Sequence, residues 1–576
     1  MNNFNFLVDV LKESPVFKTL EKNVKPGRTV CASGLSTINK SNIIYALCRL
    51  KGVTAFCLAS DEKEAQTLCN DLSCMGLRAY VYPVRDFNFL DFQSRSHEYE
   101  HARLKVLLKL INHECDVAIA CVDAAAQLTV PRNVLEQSVI EFEEGRELSL
   151  EKATKALTLL GYERFDAVEG SGQFSLRGGI LDFFMPDSDY PVRCEFWGDE
   201  ITDLSYFDIE TQRRFKKADK ITLSPSTEIV IEDRAALADK IEHKAKLLRS
   251  KNSAKAKEKL FSEAELIRSG AMIANADKFI NQIYDKPESL FDYLDRNTLV
   301  FASEFTAIQE RGKSMDFISN ETLMQGFEDG TLCRGFDRFA LTFNECTEFL
   351  QSHGTIVLEN FVHGSMPIKL SEIISFSTKQ LSAWGGSYKQ LKEDVDGLFT
   401  PESKGVIFAG TERAAKNLCD TFNADGINAV YSEGADKISK GELLVMQGAL
   451  SAGFEYPSQK FFAITYSQVS YRPEKSKKKK KKTGQEIYSL SELAPGDYVV
   501  HNVHGIGVFG GIRKIDTHGV IKDYIKIDYA KGDVLYVPVT QLDMVAKYIG
   551  PKEDSRVKLN RLGSGDWQKA KARVKT

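Results

Sequence analysis

The chain has 576 residues, 43% of them apolar and 27% charged, with a formal net charge of −4. That length exceeds one hydrophobic core and predicts about three to five domains. No apolar run approaches the ~20 residues that cross a bilayer, and the N-terminal MNNFNFLVDVLKESPVF lacks the basic-then-apolar order of a secretory signal. These features argue against a membrane partner and for a cytoplasmic location. The 11 cysteines include no Cys-x-x-Cys pair, and neither Cys69/Cys74 nor Cys115/Cys121 comes with the second pair or histidines a zinc site needs. Reduced, buried thiols and no metal are predicted.

Residues 29–125 alternate short apolar strands (TVCASG, TAFCLAS, AYVYPV, DVAIACV) with helical stretches at 41–50 and 62–75. Strands apolar throughout predict an α/β sheet covered by helices on both faces. After the first strand the loop runs from Gly34 through Asn39 to Lys40 and Ser41. A phosphate-binding loop needs Gly-x-x-x-x-Gly-Lys-Ser/Thr, so that its backbone N–H groups curl around phosphate while the lysine and hydroxyl serve phosphate and magnesium. Lys40 and Ser41 are in place, but Asn39 stands where the second glycine belongs. LVFASEF at 299–305, a strand returning to this sheet, offers Ser303-Glu304 and no aspartate to hold a metal. The loop reads as degenerate, and no ATP, magnesium or catalytic residue is expected in this chain. The alternative is a weak ATPase using Lys40 and Ser41. His501 and His504 have no third ligand or nucleophile around them and read as ordinary turn histidines.

Residues 172–215 read as three strands around a Gly178-Gly179 break. Side chains alternate along a strand, so Val192, Cys194 and Phe196 share a core-like face while Arg193, Glu195 and Trp197 share the other. Arginine and tryptophan are enriched at interface hot spots, and Arg177 is a second basic candidate for that surface. The plain alternative is that Arg193 and Glu195 decorate the solvated side of an antiparallel sheet. Lysine- and alanine-rich helices follow at 235–251 and 254–270. A second α/β unit, about 350–470, carries the strands TIVLEN, GVIFAG, NAVYSE, ELLVMQ and FFAITY and a helix at 411–424.

From Tyr471 onward 22 Lys and Arg face 12 Asp and Glu, so a basic tail follows an acidic body. Six consecutive lysines, Lys477–Lys482, read as a solvated linker whose contact with DNA would be weak and sequence-blind. Residues 493–549 then give about five short strands with Gly-containing turns, predicting an SH3- or Tudor-like barrel with an edge open to strand addition. Between Tyr524 and Tyr529 one face carries Tyr524, Lys526 and Asp528 and reads as exposed, while the other carries Ile525, Ile527 and Tyr529 and reads as mostly core. Gly565-Asp566-Trp567 starts an amphipathic helix with Asp566 as N-cap, and the chain stops within it. The expectation is a truncated chain that is a monomer.

Arg-Gly-Gly, Ile-Leu-Asp, Pro-Val-Arg-x-Glu-Phe, Gly-Asp-Glu-Ile and Phe-Asp-x-x-Thr-Gln-Arg, all within 177–213, resemble the inserted domain shared by UvrB and the bacterial transcription-repair coupling factors. That family docks UvrA there, which implies docking roles for Arg177, Arg193 and Trp197, with Glu195 beside them; a Phe is more typical where Trp197 stands. Pro-Gly-Asp-Tyr-Val-Val-His, His-Gly-Ile-Gly and Leu-Tyr-Val-Pro-Val resemble the RNA-polymerase-interacting domain these factors share with CarD-type regulators, whose edge adds to the polymerase β subunit; by position this implies Ile525, Lys526 and Ile527 as the contacts, with both isoleucines being core as the alternative. The resemblance implies a multidomain α/β and β architecture. Residues 1–129 and 216–345 form a degenerate helicase-like module interrupted by a UvrB-like α+β insert at 130–215. A second α/β domain (346–470), the lysine linker (471–490), the β-barrel (491–550) and a linker helix (551–576) follow. The implied function is an adaptor that holds stalled RNA polymerase and recruits UvrA for nucleotide excision repair, with the family's ATP-driven translocase outside this chain. A regulator that only tethers polymerase is the remaining alternative.

Overall fold

The computed structural model describes residues 4–85, 98–248, 254–270, 276–362, 366–381, 388–466, 484–486, 496–501, 504–517, 520–538, 545–548 and 559–562. They fall into two compact units, one of the described residues up to Tyr466 apart from Ile318–Thr322, and one of those from Gly484 onward together with Ile318–Thr322.

The first unit opens with a seven-stranded parallel sheet of β1 (Val30–Ser33), β2 (Ala55–Ala59), β3 (Ala79–Tyr82), β4 (Val117–Cys121), β13 (Leu299–Ser303), β14 (Thr355–Leu358) and β15 (Glu372–Ser375). Its strand order is β15-β1-β14-β13-β2-β4-β3. The central strands are buried end to end because helices cover both faces. One face packs on α1 (Asn5–Glu13), α2 (Pro15–Asn23), α3 (Thr37–Lys51) and α4 (Glu62–Cys74). The other packs on α5 (Glu98–Ile111), α6 (Val122–Ala126), α7 (Arg132–Gln137), α11 (Ile280–Ile283), the start of α12 (Phe305–Glu328), and α13 (Phe343–His353). TIVLEN, expected in the second α/β unit, is instead β14, paired between β1 and β13. Parallel strands need not neighbour their sequence successors, so pattern alone misplaced it.

Between β4 and β13 sits the insert. Strands β6 (Glu163–Arg164), β7 (Gln173–Arg177), β8 (Ile180–Phe183), β9 (Val192–Trp197), β10 (Glu200–Phe207) and β11 (Arg214–Lys217) line up in the order β11-β10-β9-β8-β7-β6. Helix α8 (Leu150–Leu159) contributes Ala153 and Leu157 to the core of one face. The pair β5 (Ile140–Glu143) and β12 (Lys220–Leu223) closes the insert, which therefore extends past the expected end at 215. Helices α9 (Arg234–Leu247) and α10 (Ala254–Arg268) then pack on each other through Leu237, Ile241, Ala245, Leu260 and Ala264.

A second sheet in the same unit holds β16 (Lys379–Leu381), β17 (Lys404–Ala409), β18 (Ala429–Ser432), β19 (Glu442–Gln447), β20 (Gly453–Tyr456) and β21 (Phe461–Tyr466), ordered β16-β20-β21-β17-β19-β18. One face is covered by α14 (Tyr388–Leu398) and α15 (Glu412–Ala424). Its other face, with Val406, Phe408, Met446, Phe454 and Phe461, joins the core around α1, α3 and α4.

The second compact unit is a six-stranded antiparallel sheet of β22 (Gly484–Glu486), β23 (Tyr498–His501), β24 (Gly505–Thr517), β25 (Val520–Asp528), β26 (Val534–Pro538) and β27 (Val545–Tyr548), in the order β22-β27-β23-β24-β25-β26. No pairing between β22 and β26 closes it into a barrel among the described residues. Lys477–Lys482 and the Asp566 cap lie outside the described residues.

Candidate interaction surfaces and an occluded nucleotide loop

Strand β9 alternates buried and outward residues as its sequence predicts, ending on Trp197, which is 82% exposed. The turn that follows holds Gly198 at φ +65°, so the indole stands at the end of a hairpin with no ring contact among the described residues. The two arginines share one carboxylate. Asp182, on β8 opposite Arg193, accepts Arg177 Nη2 at 2.8 Å and Arg193 Nε and Nη2 at 2.7 and 2.8 Å. Arg193 also donates to the Gln212 carbonyl at 3.1 Å and lies over the Phe207 ring at 4.5 Å. Its side chain is therefore inset, 13% exposed, while that of Arg177 is 50% exposed. The Asp182 bonds raise the Arg193 pKa above its ordinary value and keep the guanidinium charged. Glu195 pairs with Arg214, which also holds Asp203 at 2.8 Å.

The surface is thus a fixed guanidinium fork beside a protruding aromatic. Arg177 and Trp197 reach solvent; Arg193 works mainly by fixing the fork; Glu195 is neutralised by Arg214. Asp182, Phe207, Gln212 and Arg214 were not among the sequence candidates. The cross-strand register of Asp182 and Arg193 was the available signal. A second exposed aromatic pair, Tyr190 and Phe215 with ring centroids 4.7 Å apart, stands at the β11 edge.

The loop after β1 is shorter than a phosphate cradle. Helix α3 begins at Thr37, leaving only Gly34, Leu35 and Ser36 between strand and helix. Gly34 has φ +78°, and a Cβ there would lie 2.2 Å from the Phe376 carbonyl oxygen, so only glycine fits the close approach. The amides of Gly34 and Leu35, which would face a phosphate, donate instead to the carbonyls of Asn360 (3.1 Å) and Glu359 (3.0 Å). Lys40 is buried, with Nζ on Glu304 (2.6 Å), Ser303 (2.9 Å) and Glu64 (3.2 Å). Ser41 donates to the Thr37 carbonyl at 3.3 Å and the Asp71 carboxylate at 3.4 Å, and Asn39 accepts from Ser36 at 2.6 Å.

Burial alone would raise Glu64, but the Lys40 charge and bonds from Ser303 and Ser60 hold it below the usual carboxylate range. Burial, then the neighbouring Glu304 charge, pushes Glu359 up to about 7. Gly34, Asn39, Lys40 and Ser41 are therefore brought together, yet the donors of Gly34, Lys40 and Ser41 are already taken, and Asn39 Nδ2 is buried without a partner. The residues present do not fit ATP.

In the second compact unit Ile525 and Ile527 are fully buried with Val499, Phe509, Tyr529, Val537 and Val545. Lys526 is half-buried and reaches Asp528. Strand β25 is paired with β24 on one side and β26 on the other. Ile525, Lys526 and Ile527 thus cannot receive an added strand, and that expectation is corrected: their alternation comes from core packing. Free backbone lies elsewhere. Strand β23 pairs with β24 only through Val508, and β26 pairs with β25 only from Tyr524, so the hairpin around Arg513–Thr517 and Val520–Asp523 extends as a two-stranded ribbon whose outer edges are unpaired among the described residues.

His501 and His504 stack at 4.9 Å, and the His504 amide donates to His501 Nδ1 at 3.3 Å. No cluster that could hold a metal ion occurs among the described residues, and all 11 cysteines are buried and unbridged. No helix among the described residues is long and apolar enough to cross a membrane.

Residues 140–229 match the family model for the UvrB interaction domain, and residues 493–549 match that for the CarD-like/TRCF RID domain. The chain is 29% identical over 582 residues to the transcription-repair-coupling factor of Bacillus subtilis (strain 168), covering 98% of this chain and 49% of that protein. It is 28% identical over 513 residues to that of Staphylococcus haemolyticus (strain JCSC1435), covering 86% and 43%. Against that of Staphylococcus aureus (strain USA300) it is 25% identical over 582 residues, covering 99% and 49%. The chain spans about half the length of these relatives. Two family domains and similarity along nearly the whole chain support a region like the N-terminal part of transcription-repair-coupling factors.

Proposed function

We propose that this chain is an adaptor for transcription-coupled DNA repair, docking UvrA through the outward face of the β7–β9 sheet and RNA polymerase through the antiparallel sheet at 493–549. The observation that carries the reading is the Trp197 side chain, 82% exposed beside two arginines held by one aspartate, on the segment matched to the UvrB interaction domain. A large exposed aromatic flanked by a preorganised guanidinium has the makeup of an interface hot spot. On this reading the nucleotide loop takes no part in ATP chemistry, which the internal bonds of Gly34, Lys40 and Ser41 support.

Isothermal titration of UvrA tests the first contact. Trp197→Ala and Arg177→Ala each weaken binding by about tenfold or more if this face docks, the loss of one hot-spot side chain. Unchanged affinity in both variants removes the reading. For the polymerase, we place strand addition on the free ribbon at Arg513–Thr517, not on Ile525–Ile527, with the β subunit as partner. Successive N–H groups of a strand point to opposite edges. Of Arg513→Pro and Lys514→Pro, one therefore removes an outward donor and loses polymerase binding with the sheet intact. Retained binding in both would move the contact off this ribbon.

A further inference from the structure

The helix pair α9–α10 carries charge that neither docking surface uses. Between residues 240 and 259 the chain has eight lysines and arginines against two glutamates, Glu242 and Glu258. Arg268 of α10 pairs with Asp239 (2.8 Å) and Glu242 (2.8 Å) of α9, so the helices run antiparallel, with the end of α9 and the start of α10 at one tip. Lys246 and Lys255 are exposed there and Lys257 is half-exposed. Lys255 and Lys257 make no ion pair among the described residues, and Lys246 has only the exposed i,i+4 contact to Glu242 at 3.8 Å. Lys244 lies against the Phe336 ring at 5.3 Å and the Gly335 carbonyl at 3.3 Å. The carboxylates nearby include Glu242, already held by Arg268, the exposed Glu258, and the exposed Glu328 and Asp329, just before the Gly330 that lies against Lys255.

We propose that this helix-hairpin tip is a sequence-independent binding surface for the phosphate backbone of duplex DNA, with Lys246, Lys255 and Lys257 as its contacts. A duplex presents one charge per about 1.7 Å, the partner density that a cluster of unneutralised lysines matches. Lysines are compact point charges on flexible stems, suited to phosphate contact without base readout. A membrane surface fits less well, because binding there needs a continuous apolar face. Most apolar residues of the two helices are spent on each other, and Leu247, exposed at the end of α9, stands alone there and makes no continuous apolar face. Phe261 and Leu266, exposed on α10, are five residues apart and so point to different sides of the helix. The surface is independent of the lysine run at 477–482 and of any motor.

The test is fluorescence anisotropy of the full chain with a labelled 30-base-pair duplex of scrambled sequence, across a potassium chloride series. The expected result is that K246E/K255E/K257E weakens binding about tenfold or more and lowers the slope of log K against log salt by about two to three. Unaltered circular dichroism and melting show that the variant folds; if it does not fold, the triple Lys→Gln variant carries the same test. The proposal is overturned if the wild type binds no duplex. It is equally overturned if the variant keeps both affinity and slope, if replacing Lys477–Lys482 by serine alone abolishes all binding, or if these lysines bind anionic phosphatidylglycerol vesicles but no duplex.

Discussion

Asp182 decides more of the proposed docking surface than the residues that reach solvent. It is buried and accepts both arginines, so removing it leaves one inset guanidinium unpaired and the exposed one free to wander. Breaking such a pair costs about 3–5 kcal/mol when the partner stays buried; Arg193 is partly exposed, which places Asp182→Ala nearer 2 kcal/mol of stability. Chemical denaturation measures that loss, and UvrA titration should show a larger drop than for Arg177→Ala, since both forks go at once. Lys40 gives the opposite lesson. Its substitution by Ala strands Glu64, Glu304 and Glu359 around a buried gap, so a stability loss of about 3 kcal/mol or more is expected, with no change in nucleotide binding. Loss of measurable ATP affinity in Lys40→Ala would contradict the occluded loop. The same cluster sets a pH response. Glu359, raised by burial to about 7, binds its proton more tightly folded than unfolded. Its contribution is fully present below the unfolded carboxylate range and is lost as pH rises through about 7. Glu359→Gln should remove that decline between pH 4.5 and 7.5 in melting curves; an unchanged profile would assign the decline to other groups.

Among the elements, β9 was legible from its sequence because alternation is a local property: the three core residues and the three outward ones fell where period two puts them. The nucleotide loop was legible as degenerate for the same reason, Asn39 standing in the chain where glycine is needed. Its occlusion was not, since Glu64, Glu304 and the carbonyls of Glu359 and Asn360 arrive from distant elements. Strand β25 shows the limit most directly. Alternation identified Ile525 and Ile527 as one face, but whether a strand is an edge depends on its neighbours, and β25 has one on each side. Ile525→Arg should therefore unfold this sheet instead of selectively deleting a contact, because a charge placed in its core finds no partner and costs several kcal/mol. Loss of the cooperative transition and of hydrogen-exchange protection in Val499 and Phe509 is the expected outcome. A folded Ile525→Arg protein with only polymerase binding lost would return the contact to β25.

Across the first compact unit, the two α/β sheets are not a pair of lobes around a cleft. Val406, Phe408, Met446, Phe454 and Phe461 of the second sheet share one core with helices α1, α3 and α4 of the first. Polar ties cross the same boundary: the Ser451 amide and hydroxyl both reach Asp71 at 2.7 Å, and Asn42 donates to the Tyr456 hydroxyl at 3.1 Å. Asp71 sits in this seam with its pKa pushed by burial up to about 6, a further group whose ionisation opposes the fold as pH rises. A nucleotide-driven motor needs two bodies that move apart and close; a continuous apolar core resists that, because packed interiors have few intermediate arrangements. The two sheets should accordingly unfold as one transition. Hydrogen exchange read at β17 and at β2 should report the same opening free energy in denaturant, and Tyr456→Ala, which empties the seam, should lower both together by about 3 kcal/mol or more. Protection that falls only in the second sheet would make the sheets separate bodies and reopen the possibility of movement between them. Equal loss on both sides fits one rigid platform made of both sheets and the helices between them.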